Sequence, residues 1–193
     1  MFRKRAKSFS SLFAVVSTIF GTSLCVRAAP LSDKIFLTPA DLPGGFKMTE
    51  AHLDGLSDSP PAFAACHGQD SGLKVFQAGE SAPLQRVVDI RWTFPNAADA
   101  EKFFQLSSQT LSEGAPVIPD AKAVGEDCKA YGGENTLGMD LGAGSFYNYY
   151  YIFRSGRVVA KIYGSEGAMA KSHPTLEMLL PFAQTAANKC KSF

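Results

Sequence analysis

An α+β sandwich is the fold this sequence predicts, with an antiparallel sheet backed by two main helices, and three observations predict it. Leu84–Phe94 alternates apolar and polar residues in the manner of a half-buried strand. Ser145–Arg154 and Arg157–Gly164 are β-rich runs around Ser155-Gly156, the pattern of a hairpin with a two-residue turn. Two further stretches, after Asn96 and after Pro174, carry apolar residues at helical spacing. Strands, a covering helix, more strands and a last helix stack as layers around one core.

The first 28 residues stand apart from that scaffold and read as a secretory signal peptide. Arg3, Lys4, Arg5 and Lys7 form a positive start, Leu12 to Val26 is mostly apolar or small, and Val26-Arg27-Ala28 suits signal peptidase. The apolar run is broken by Ser and Thr and falls short of the roughly 20 residues that span a bilayer. A lipid anchor at Cys25 is the rival reading, disfavoured because Leu24 stands where lipoprotein processing takes a small residue. The expectation is a secreted or periplasmic chain, not transmembrane, with residues 29–193 as one domain. Five of the 19 basic residues and none of the 18 acidic ones lie in the leader, so the remainder carries a net charge of −4. That balance argues against nucleic acid as a partner.

Along the domain, 29–34 reads as a flexible lead-in, and Thr38–Gly45 as a helical turn at most, stopped by Pro43 and the glycine pair. Phe46–Leu53 is a first strand. Residues 54–82, rich in Gly, Ser, Asp and Pro, read as loop with Ala62–Cys66 helical. In the next strand Leu84, Val88, Ile90, Trp92 and Phe94 share one face, and Asp89, Arg91 and Thr93 point the other way. Asn96 caps a helix of about 16 residues, with Asp99 three positions on. Ala100, Phe103, Phe104 and Leu111 form its stripe, its later Ser and Gln residues face water, and Gly114 ends it. Val124–Tyr131 is a further strand and the five glycines of Gly132–Gly144 make a loop. In the hairpin, a turn at Ser155-Gly156 pairs Phe153 with Val158, Tyr151 with Ala160 and Tyr149 with Ile162 as the core face. The final helix, Pro174–Lys189, carries Leu176, Leu179, Leu180, Ala183, Ala186, Ala187 and Cys190 on one side, with a kink or break expected at Pro181.

Cys66, Cys128 and Cys190 remain after the leader. In an oxidising compartment that odd number predicts one disulfide and a spare thiol, with the three pairings left open. An unstrained bond would stabilise by roughly 4–5 kcal/mol.

Several segments together resemble exported bacterial proteins, many of them lipoproteins or extracellular sensor domains of kinases. They are Thr38-Pro-Ala-Asp-Leu-Pro-Gly-Gly-Phe46, Trp92-Thr-Phe94 with Asn96–Ala100, Val124-Gly-Glu-Asp127, Tyr151-Ile-Phe-Arg-Ser-Gly-Arg-Val-Val-Ala160 and Ala183–Ala187. The resemblance implies a curved antiparallel sheet backed by helices, like the photosystem-II oxygen-evolving P-subunit. It also implies binding of a ligand or partner rather than catalysis, and it brings no functional residues with it.

Motifs for chemistry are sparse. His52, His67 and His173 lack ligand spacing, and adjacent Cys66-His67 comes without CxxC or HxxxH, so no metal is expected. Tyr163-Gly-Ser-Glu-Gly167 lacks the first glycine of a nucleophile elbow, and the Gly132–Gly144 stretch has no Gly-Lys-Ser/Thr. Cys66 with His173, Glu126 with Asp127, or Asp89 with Asp140 have the side chains for nucleophilic or acid–base work, but no motif joins them. No cofactor and no catalytic residue is expected. What stands out is the second face of the hairpin: Asn148, Tyr150, Ile152, Val159, Lys161 and Tyr163, with Asp89 and Arg91 adding charge from a neighbouring strand. A partly apolar exposed face of this kind marks binding. The expected function is an exported, non-catalytic binding module for an envelope protein, peptide or small ligand. A secreted hydrolase without a recognisable motif and a structural envelope subunit are the alternatives.

Overall fold

A computed structural model describes residues 33–57, 59–135, 146–167, 169–191 and 193. The expected leader lies outside these residues, as do Asp140 and most of the glycine-rich stretch. Six strands form one open antiparallel sheet in the order β1-β2-β3-β6-β5-β4. They are β1 (Lys47–His52), β2 (Asp70–Gln77), β3 (Arg86–Thr93), β4 (Asp127–Asn135), β5 (Phe146–Ser155) and β6 (Val158–Ser165). A short helix α1 (Pro61–Ala65) precedes β2, α2 (Ala97–Gly114) joins β3 to β4, and α3 (Leu176–Cys190) closes the chain. No helix among the described residues is long and apolar enough to cross a membrane.

The two long helices take opposite faces of the sheet. Side chains alternate along a strand, so Val159 of β6 and Ile152 of β5 meet α2, while Ala160, Ile162, Tyr151 and Phe153 meet α3. The α3 stripe is close to the one its spacing predicts: Leu176, Leu179, Ala183, Ala186, Ala187 and Cys190 are buried, joined by Phe182. No break occurs at Pro181; α3 is assigned as one helix across it. Proline at the sixth helical position forfeits one backbone hydrogen bond, and the buried stripe on both sides of it outweighs that loss.

The start of α2 follows its sequence closely. The Asn96 side-chain carbonyl accepts the Asp99 amide at 2.9 Å, and its amide donates to the Asp99 carboxylate at 2.8 Å. Asn96→Ala is expected to cost about 1 kcal/mol, read as a lower midpoint in urea; an unchanged midpoint would show the cap idle. The serines of α2 do not all face water. Ser108 is buried, and its carbonyl accepts the Tyr131 hydroxyl from β4 at 2.8 Å.

Three other expectations are corrected. Asp70–Gln77, read as loop, is an interior strand: Gly72 interrupts its pattern because a Cβ there would lie 2.7 Å from the His52 carbonyl. Of the expected lead-in 29–34, the described Asp33 and Lys34 are exposed but ordered in a short 3-10 turn, Asp33 pairing with Lys74. The next residues, Ile35, Phe36 and Leu37, are buried against the α3 side of the sheet. In the hairpin, Ser155 pairs with Val158, Phe153 with Ala160 and Tyr151 with Ile162, so Gly156 and Arg157 form the turn. Gly156 has φ +57°, at the first central position where type II′ turns take glycine. The shift is two residues, which changes partners but keeps every side chain on its face.

The expected disulfide is absent among the described residues. Cys66, Cys128 and Cys190 are all free thiols. Cys66 belongs to the α2-side cluster, whereas Cys128 and Cys190 pack on the α3 side.

Candidate functional site

The α2 helix covers only part of its sheet face. Phe103 and Phe104 seal Trp92, Val159 and Ile152, with Phe103 ring centroids 5.3 Å from Trp92 and 5.0 Å from Phe94. Farther along the same face the side chains are partly open. The pairings place Leu73 of β2 beside Ile90 of β3, Ile90 beside Lys161 of β6, and Lys161 beside Ile152 of β5. One row on, Tyr163 pairs with Tyr150. The segment between β1 and α1 bends over this open part. It is tied down by the Leu56 amide, which donates to the Ser71 hydroxyl at 3.0 Å, and by Ser59, whose hydroxyl lies 3.2 Å from that of Ser71.

Between that segment and the sheet lies a cavity of about 570 Å³. Leu73, Ile90, Trp92 and Lys161 line it from the sheet, and Leu56 and Pro60 from the overlying segment. Glu50 and His52, two apart on β1, also line it, joined at 2.8 Å between Glu50 Oε1 and His52 Nε2. Small-molecule sites fall in the range of about 300–1,000 Å³, mostly apolar with a few placed polar groups. This cavity has that size and that lining.

Lys161 is its distinctive group. The aliphatic stem crosses the apolar sheet face and Nζ lies 5.8 Å from the centre of the Tyr150 ring. Among the described residues no hydrogen-bond acceptor or carboxylate partners that ammonium. Burial pushes the Lys161 pKa down, the direction expected for a cation taken out of water without a counter-charge. Beside it, the Tyr150 and Tyr163 rings lie 5.0 Å apart, and Tyr163 donates its hydroxyl to Asn148 Oδ1 at 2.9 Å. Burial, followed by the neighbouring Tyr163, pushes the Tyr150 phenol up.

The residues expected to form one exposed surface therefore divide three ways. Tyr150, Lys161 and Tyr163 are half-buried on the open part of the α2 face, next to Asn148, which is 9 % exposed. Ile152 and Val159 share that face but lie sealed under α2, at 1 % and 0 % exposure. Asp89 and Arg91 are on the opposite face: Asp89 pairs with Ile162 and Arg91 with Ala160, both fully buried. The apolar row of β3 and the polar row are both inside. Residues 33–37 and α3 together close over the polar row.

That polar row is a satisfied ion pair. Arg91 Nη2 reaches Asp89 Oδ2 at 3.0 Å and Nε bonds the other carboxylate oxygen. Nη1 donates to the Ala186 carbonyl at 3.1 Å and to Cys190 Sγ, and Asp89 Oδ2 accepts the Leu37 amide at 2.8 Å. Burial alone would lower the guanidinium pKa, but the Asp89 charge overrides it, aided by Cys190, and holds it above the ordinary value. Burial pushes the Cys190 thiol up in spite of Arg91, so it accepts as a neutral group.

Sequence reasoning assigned Ile90 and Trp92 to the core and missed Leu73 with its whole strand. His52 and Glu50 were legible as i, i+2 neighbours on one side of a strand, yet only the fold brings them to the cavity of Lys161.

An open antiparallel sheet with a helix on each face defines an α+β layered domain. No protein-family model and no curated protein sequence matches the chain. Among solved structures it is similar to the extracellular domain of PknH from Mycobacterium tuberculosis, with a TM-score of 0.57 and 12% identity, covering 86% of this chain and 99% of that one. At that identity the likeness is one of fold.

Proposed function

We propose that this chain is an exported, non-catalytic binding domain that takes a small ligand of the cell envelope into the cavity between Gly55, Leu56, Ser57 and Pro60 on one side and the open part of the α2 face on the other. The observation that carries this reading is Lys161: an ammonium on a mostly apolar cavity wall, with no ion-pair or hydrogen-bond partner among the described residues. A buried charge is costly unless paired, and a cavity that holds one open is suited to receiving a partner for it. The leader pattern of residues 1–28 supports export. The shared fold with an extracellular domain adds to that support.

Two measurements test the reading. N-terminal sequencing of the protein after expression of the full chain in a bacterium is expected to begin at Ala29; an uncleaved cytoplasmic product overturns export. In a ligand screen followed by backbone and indole NMR, shifts are expected at Leu73, Ile90 and Trp92, with each ligand recovered unchanged. Shifts confined to the α3 side, or turnover of a ligand, overturn the assignment.

A further inference from the structure

We infer that the ligand class of this cavity is an apolar carboxylate, a small monoanionic acid whose head group pairs with Lys161 and whose hydrocarbon body lies on Leu73, Ile90 and Trp92. The inference rests on the binding reading above and adds the chemistry of the occupant. Three observations point the same way. Of the charged side chains in the described wall, Glu50 is held by His52 and Lys161 alone has no partner, so the complement it calls for is one negative charge. The carboxylate already present, Glu50, is engaged by His52, and its charge at the same cavity disfavours a dianion such as a phosphate monoester. The rest of the sheet-side wall, Leu73, Ile90 and the Trp92 ring, supplies apolar contact and no acceptor side chain.

The chain contains a single tryptophan, and it lines the cavity, so a ligand-induced change in emission comes from this wall. The purified protein is titrated with decanoate, kept below its micelle threshold, and in parallel with decanol and decyl phosphate. Decanoate is expected to shift the Trp92 emission and to bind roughly ten- to a hundred-fold more tightly than decanol, the worth of one charge-assisted hydrogen bond. Lys161→Met is expected to abolish that preference while raising the melting midpoint, since an unpaired charge leaves an apolar wall, and Lys161→Arg to retain the preference. Equal affinity for decanoate and decanol overturns the carboxylate inference while leaving a binding cavity in place. Tighter binding of decyl phosphate overturns the choice of a monoanion. A response to a short apolar peptide with a free C-terminus, lost in its amide and missing for decanoate, moves the head group to a peptide end and overturns the small-acid assignment. If none of these probes moves Trp92, both the inference and the cavity as a binding site fall.

Discussion

Asp89→Ala is expected to lower the stability of the domain by about 3–5 kcal/mol, the cost of breaking a buried ion pair by removing one partner. Asp89 accepts the Leu37 amide and two donors of Arg91, and both side chains are fully buried. Without the carboxylate the guanidinium charge is left uncompensated, because its remaining partners are the neutral Ala186 carbonyl and Cys190 Sγ. The Leu37 amide loses its acceptor at the same time. Against a total of about 5–15 kcal/mol for a domain, such a loss is a large share of the stability and is expected to lower the midpoint in guanidinium markedly. The double variant Asp89→Leu with Arg91→Met removes both charges and keeps most of the volume, and is expected to recover most of the stability. A single-variant loss below about 1 kcal/mol, the value for exposed pairs, would show that water reaches this pair.

That ion pair also marks where reading the sequence stops. Alternation in β3 separates its two rows correctly, Val88, Ile90 and Trp92 from Asp89, Arg91 and Thr93. What alternation does not carry is which row meets solvent, because a half-buried strand and a strand buried on both faces with an internal salt bridge share one pattern. The information lies in residues 33–37, whose Phe36 ring lies 5.7 Å from the Lys74 ammonium and 5.8 Å from the Arg91 guanidinium. Local signals with their own geometry were legible: the Asn96 cap, the α3 stripe and the hairpin. Strand β2 was not, since Ser71 and Gly72 read as loop residues until the edge strand packs against them.

The site was legible by half for the same reason. Tyr150, Lys161 and Tyr163 belong to one alternating row of the hairpin and stand on one face whichever two-residue register the turn takes. The cavity in front of them needs Leu56 and Pro60 above it, and their stretch of chain is placed by the bonds of Leu56 and Ser59 to the hydroxyl of Ser71, a residue of the missed strand. A loop positioned by a distant hydroxyl leaves no periodicity to find. Ile152 and Val159 fell on the wrong side of the division because α2 covers part of a face, and how far a helix reaches across a sheet is set by packing rather than by its own stripe.

Phe103→Ala is expected to destabilise the domain by about 3–5 kcal/mol, the range for truncating a buried aromatic. Phe103 is fully buried, and its ring meets those of Phe63, Trp92 and Phe94 at 5.0–6.1 Å between centroids. It is the side chain through which α2 holds both the sheet and α1. Leu106→Ala, on the 38 % exposed side of the same helix, is expected to stay within about 0.5 kcal/mol of the parent, as surface substitutions do. The pair thus separates seating of the helix from its propensity. A second readout ties the result to the candidate site, because Trp92 lies between Phe103 and the cavity. With Phe103 gone, the Trp92 emission is expected to move to longer wavelength before any unfolding transition begins, and Leu106→Ala to leave it in place. Equal losses in the two variants, with no change in emission, would mean that α2 does not rest on this face and that the cavity has no wall on that side.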